Sequence, residues 1–183
     1  MSLTDEHVAV LVTGISASGK STVAQLLAER FPRGVHIRGD TFRRMVVAGR
    51  EEMTAQPSVE AWRQLRLRYR LGAATVDAYF DAGFSVVVQD VVVGPFLDEY
   101  VGLIRSRPLS VVVLVPRVDV VADRERTRNK TGYRDGLATM SQMDAGLRRD
   151  TPRLGLWLDS SDQTPHETVD EIAARAWVEG RVG

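Results

Sequence analysis

The sequence predicts an α/β fold in which a five-stranded parallel sheet lies between two layers of helices. Three observations carry this. Short runs rich in β-branched residues recur along the chain. They are apolar throughout rather than alternating, which suits strands buried on both faces. Longer segments with helical spacing separate them, so strand and helix alternate as in right-handed crossover units.

The elements follow in order. Strand candidates are HVAVLVT (7–13), GVHIR (34–38), FSVVVQD (84–90), LSVVVLV (109–115) and LGLWL (154–158). A first helix over 19–31 sets Val23, Leu26, Leu27 and Phe31 on one face and is stopped by Pro32. A long helix over 58–82 spaces Trp62, Leu65, Tyr69, Val76 and Phe80 along one stripe, with Gly83 as its C-terminal cap. Shorter helices are expected at 96–106 and 118–129. The last helix opens on TPHE, with Thr164 as cap, Pro165 in the first turn and Glu167 closing a capping box.

The chain has 183 residues, enough for one domain with its own core, and no repeat, low-complexity tract or linker divides it. Lysine plus arginine number 24, as do aspartate plus glutamate, which argues against a dedicated nucleic-acid binder. There is no cysteine, so disulfides and thiolate metal sites are excluded. The opening residues MSLTDEH carry acids where a signal peptide carries base, and no apolar run reaches the roughly 20 residues of a membrane helix. A cytoplasmic protein without a membrane partner is expected. His7, His36 and His166 are isolated and suggest neither a metal site nor a catalytic triad.

The most informative stretch is GISASGKST, residues 14–22, between the first strand and the first helix. Gly14 to Ser21 reads G-x-x-x-x-G-K-S, a phosphate-binding loop in its strand–loop–helix setting. The backbone amides of Gly14, Ile15, Ser16, Ala17, Ser18, Gly19, Lys20, Ser21 and Thr22 and the positive end of the following helix make a cradle for polyphosphate. Lys20 is expected on the β- and γ-phosphates and the Ser21 hydroxyl on Mg²⁺.

Ligands of open α/β sheets bind beyond the carboxyl ends of the strands, so the other strand ends matter. The second ends in HIRGDTFRR, with Arg38, Asp40, Arg43 and Arg44; the third in VVVQDVVVGP, with Gln89 and Asp90. Asp40 is read as a catalytic carboxylate, and its other reading is a helix N-cap. Asp90 closes an apolar run as a metal-side aspartate does, and its other reading is a buried carboxylate satisfied by loop amides. Residues 117–130 hold Arg117, Arg124, Arg126, Arg128 and Lys130. Arg124 and Arg128 share a helix face and would grip an anion; the alternative is a solvated face balanced by Asp123 and Glu125. With TGYRDG following, this segment looks like a small lid.

Taken together, the GISASGKS loop, the Asp of RGD, QDVVVG, the arginine-rich segment and the closing LDSSDQTPHETVDEIAARA resemble the small phosphate-loop kinases. Among these the chain is most similar to the chloramphenicol phosphotransferase-like family, with the gluconate and adenylylsulfate kinases as cousins. The resemblance implies a P-loop NTPase fold, a three-layer sandwich with strand order 2-3-1-4-5, and a single P-loop kinase domain over 1–183 with a lid around 117–150. It further implies ATP and Mg²⁺, and transfer of the γ-phosphoryl group to a hydroxyl of a small molecule, by a monomer or homodimer. By position, Asp40 approaches that hydroxyl and Asp90 joins Ser21 at the metal, with Lys20 and Arg128 completing the catalytic set and Arg124 on the nucleotide. The family tends toward paired acids after the third strand. Here Gln89 precedes Asp90, which points Gln89 at a different acceptor.

The acceptor is expected between Asp40, Arg38, Arg43 and the long helix bearing Trp62, Arg66 and Tyr69, while Arg63, Arg68 and Arg70 lie mostly on its wet face. An arginine-lined pocket favours an anionic or polyhydroxylated substrate. Two readings from other classes stand beside this one: a nucleotide or polynucleotide 5′-kinase, and a nucleotide-binding regulatory module without phosphotransfer.

Overall fold

The structure is a computed structural model that describes residues 6–54, 56–127 and 137–183, the side chains of 137 and 138 excepted. Strands β1 (Ala9–Thr13), β2 (Gly34–Arg38), β3 (Ser85–Gln89), β4 (Leu109–Leu114) and β5 (Leu156–Leu158) form a parallel sheet in the order β2-β3-β1-β4-β5. This is the sheet and the order expected. A sixth strand, β6 (Arg181–Val182), pairs antiparallel with Leu109 and Ser110 at the start of β4. Two residues carry no period, so nothing in the sequence announced it.

Seven helices complete the described chain: α1 (Lys20–Ala28), α2 (Gly39–Met45), α3 (Val59–Asp81), α4 (Phe96–Leu103), α5 (Val118–Arg126), α6 (Leu137–Asp150) and α7 (Pro165–Arg175). The alternation of side chains along each strand divides the core in two. Ala9, Leu11, Val86, Val88, Val111 and Val113 face the side covered by α3, α4 and α6. Val10, Val12, Val87, Val112 and Leu114 face the side covered by α1 and α7. Apolar residues on both faces are why these strands read as unbroken runs.

Local signals resolve as physics requires. Thr164 and Glu167 form the reciprocal capping box. α3 ends in a Schellman motif: Gly83 at φ +79° donates to the Phe80 carbonyl, and Phe84 donates to Tyr79. Phe84 then packs edge-on against Tyr79. Helices α2 and α6 were not anticipated. The first spans seven residues with no apolar stripe, and the second is polar in composition. Tertiary packing holds the second: Met140 and Leu147 are buried in the core, and Arg148 donates to the carbonyl of Val115 at 2.9 Å. Part of the segment expected as a lid is therefore anchored against the end of β4. The lid residues 128–136, Arg128 among them, lie outside the described residues. Among the described residues no helix is long and apolar enough to cross a membrane.

One histidine couples this packing to pH. His36 on β2 donates from Nδ1 to Oε1 of Gln25 on α1 at 2.9 Å, while its Nε2 is buried without a partner. Burial, aided by the Arg38 charge, lowers its pKa from 6.5 to about 4. The unfolded chain thus binds the extra proton between those values. Stability is complete above pH 6.5 and falls as pH drops toward 4. Because the ring is partly exposed, we expect a loss of only about 1–2 kcal/mol. Urea unfolding at pH 7 and pH 5 should show this drop in the wild type and a smaller one in His36→Leu; equal drops would remove His36 as its source.

Candidate active site

The first turn of α1 and the loop before it form the floor of a cleft at the carboxyl ends of β1, β2 and β3. The two glycines of the motif answer to different demands. Gly14, at φ +145°, lies so close to β4 that a Cβ there would sit 2.5 Å from the Leu114 carbonyl and 2.8 Å from Ser18 Oγ. Gly19 is the N-cap of α1 at φ +97°, with no side-chain cap and no acidic residue in the first turn. Ala17 also takes a positive φ, 60°, an arrangement of successive amides that forms an anion nest. The helix end consequently turns its positive dipole to the cleft with no side-chain cap across it. We expect Gly14→Ala to cost about 2–4 kcal/mol through overpacking and backbone strain. Matched urea midpoints for the variant and the wild type would refute this.

Lys20 is buried and folds back, donating to the Ile15 carbonyl at 2.6 Å and to Ser18 Oγ at 3.4 Å. The Ile15 side chain belongs to the core, so this residue serves the loop through its backbone. Arg124 on α5 reaches across to the Ser18 carbonyl at 3.2 Å and the Ser160 carbonyl at 3.0 Å, fastening α5 to the loop. Ser16, Ala17, Ser18, Ser21 and Thr22 line the same cleft, which has a volume of about 1930 Å³. Arg38 lines it too, and also borders a shallow hollow with Ser21 and Thr22 beside the phosphate loop.

The sheet register brings the second half of the site together. Arg38 pairs with Gln89, and Gln89 with Val12, so the ends of β2, β3 and β1 lie in one row. One residue farther on, Gly39 and Asp90 touch: a Cβ on residue 39 would fall 1.9 Å from Asp90 Oδ2. Asp40 follows, in the first turn of α2. It does not cap that helix, whose N-cap is Arg38 without a side-chain bond. Its carboxylate instead accepts from Arg43 Nε at 2.8 Å and pairs with Arg44 Nε at 3.1 Å. Burial alone would raise the Asp40 pKa, but the hydrogen bond and charge of Arg43, with the charges of Arg44 and Arg68, hold it below 3.8.

Three expectations differ from what the structure shows. Asp90 is not a free carboxylate facing a metal; it is buried, accepts from Arg68 Nε at 2.7 Å and from its neighbour amide Val91 at 2.7 Å, and meets the second Arg68 nitrogen as well. Arg66 leaves the cleft, bonding Glu99 at 3.1 Å over the ring of Phe96. Arg68, assigned to the wet face, is the arginine of α3 that enters the cleft, with a side chain only 14 % exposed. Arg43 is already taken up by Asp40 and by both oxygens of Glu52, at 2.5 and 2.8 Å. Arg43, Arg44 and Arg68 thus each meet a carboxylate within the cleft rather than standing as unmatched charges.

Trp62 and Gln89 line the same cleft. Ser21 offers an exposed hydroxyl at the helix end, a hard oxygen suited to Mg²⁺. Among the described residues no group of three or more histidines or carboxylates could hold a metal.

Solved structures match this arrangement over nearly the whole chain. A sugar kinase from Janibacter sp. HTCC2649 superposes with a TM-score of 0.66 at 21 % identity, covering 96 % of each chain. The tunicamycin resistance protein of Deinococcus radiodurans gives 0.66 at 16 %, over 98 % of this chain and 99 % of that one. A gluconokinase from Sinorhizobium meliloti 1021 gives 0.60 at 20 %, over 92 % and 93 %. At these identities the likeness is one of fold. None of the curated proteins matches the sequence significantly. Residues 10–152 match the family described as AAA domain, and with its phosphate-binding loop and kinase-like sheet order the chain belongs to that family.

Proposed function

We propose that the protein is an ATP-dependent phosphotransferase that moves the γ-phosphoryl group to a hydroxyl of a small molecule. The observation that carries this is the shared cleft: the uncapped end of α1, with Lys20 and Ser21, opens into the same space as the carboxylate of Asp40. The loop amides, Lys20 and Arg124 would hold the phosphates, and Arg128 would join them. Mg²⁺, held by Ser21, would neutralise phosphate charge.

In transfer, the acceptor oxygen forms a bond to the γ-phosphorus as the bond to the β–γ bridging oxygen breaks. That electron pair leaves with ADP, and the hydroxyl proton passes to Asp40. A depressed pKa makes Asp40 a weak base. Such a base suits a loose transition state, in which the proton departs late and positioning does most of the work. The paired Asp90 contributes by holding Arg68 and the start of α2 in place.

The test is calorimetry with ATP and Mg²⁺, followed by acceptor-dependent ADP release from a panel of alcohols. Lys20→Ala should weaken or abolish both signals. A wild-type protein that shows no heat with ATP or GTP would remove the proposal.

A further inference from the structure

Segment 46–58 joins α2 to α3 and brings Glu51, Glu52, Met53, Thr54 and Gln56 to the cleft. None of its described residues is buried, so little packing holds it. Polar contacts do. The Gln64 side chain on α3 accepts from the Glu51 amide at 3.0 Å and donates to the Gly49 carbonyl at 2.8 Å. Held by that clasp, Glu52 sets both carboxylate oxygens on Arg43 Nη1, at 2.5 and 2.8 Å, while Arg43 Nε donates to Asp40 Oδ1 at 2.8 Å. Arg44 meets the other Asp40 oxygen, and Arg50 meets Glu52 at 3.2 Å. Charge therefore alternates in sign from Arg44 through Asp40, Arg43 and Glu52 to Arg50.

A guanidinium is planar, and carboxylates on two of its nitrogens leave it one orientation. Bonded at Nε alone, Arg43 would be free to turn about that contact. Each Asp40 oxygen accepts from one arginine and keeps a lone pair for a hydroxyl, so the grip aims the carboxylate without consuming it. We infer that Glu52 is a positioning residue of this site: carried on a segment clasped to α3, it fixes the Arg43 guanidinium that aims the Asp40 carboxylate. This rests on the phosphotransfer reading only for what Asp40 then does. The pair is partly exposed, Arg43 by 33 % and Glu52 by 39 %, so its contribution is orientation far more than stability. The other charged groups lining the cleft are Lys20, Arg38, Glu51, Arg68, Asp90 and Arg124. Of these, Arg68 also adds its charge at Asp40.

The first experiment follows solvent exchange of the Arg43 Nε–H by NMR in the full chain at neutral pH, the signal being identified by its loss in Arg43→Lys. Exchange should be slow in the wild type, at least about tenfold faster in Glu52→Gln and intermediate in Glu52→Asp. The second measures kcat/KM against pH for the panel alcohol that releases ADP fastest. Glu52→Gln should lower kcat/KM by about ten- to hundredfold, raise its acid limb and leave the urea midpoint nearly unchanged. Glu52→Asp should restore part of the rate. The direction of the limb separates two causes: loss of the Glu52 charge by itself eases ionisation of Asp40 and lowers the limb, whereas a loosened Arg43 raises it. Fast exchange in the wild type, or equally slow exchange in Glu52→Gln, overturns the inference. So does a limb that stays or falls, whatever the midpoint does. Slow exchange that depends on Glu52, in a protein that phosphorylates no alcohol, keeps the grip and removes the phosphotransfer reading.

Discussion

Arg68→Leu should lower the unfolding free energy by about 3–5 kcal/mol, the cost of leaving a buried carboxylate without its counter-charge. Asp90 is 2 % exposed, and Arg68 supplies its only charged partner among the described contacts. The damage should travel, because Asp90 Oδ2 packs against Gly39, the first residue of α2, and α2 carries Asp40. The double variant Arg68→Leu with Asp90→Leu should lose less than Arg68→Leu alone, since no unpaired charge remains buried; the Val91 amide would still lack its acceptor. Urea midpoints of the wild type, both single variants and the double variant give the coupling directly. An unchanged midpoint for Arg68→Leu would show that the pair does not support the fold.

Asp40→Asn should reduce phosphoryl transfer by about a hundred- to ten-thousandfold while leaving ATP affinity nearly unchanged. The amide keeps the shape but can neither take a proton nor pair fully with Arg43. A regulatory module without phosphotransfer makes no such demand on Asp40, so transfer near the wild-type rate would reassign the residue. The pH profile adds a second reading. Burial tends to raise the Asp40 pKa, but Arg43 and the neighbouring arginines outweigh it and hold it below 3.8. Activity that needs the ionised carboxylate is therefore retained down to that range and lost as pH falls through the depressed pKa. Arg43→Gln removes the first of the lowering contacts and should move the acid limb of kcat/KM upward. An unmoved limb would mean that another group sets it.

The nucleotide side was legible because its determinants are contiguous. Eight residues, Gly14 to Ser21, specify the loop, and the strand before it and helix after it are set by their own periods. The C-terminal glycine of α3 and the Thr164–Glu167 box are likewise interactions within a few residues of each other. The rest of the cleft was legible only in part. The strand-end and apolar-stripe positions of Asp40, Trp62 and Gln89 do line it, but Asp90, Arg66 and Arg68 have other surroundings than the sequence suggested.

The reason lies in how α3 is turned. At about 100° per residue, Arg66 and Arg68 fall on opposite flanks of the stripe through Trp62, Leu65, Tyr69 and Val76. The sequence by itself determined that the stripe is buried, and with it the strands, the phosphate loop and the order of the layers, because each follows from spacing along the chain. Which flank faces the cleft was decided by α2 packing on one side of α3 and α4 on the other. That packing sends Arg66 to Glu99 and Arg68 to Asp90, 22 residues away in sequence. A choice between two charged residues equally adjacent to the stripe carries no local signal; only the assembled sheet and helices make one buried pair and one exposed pair out of them.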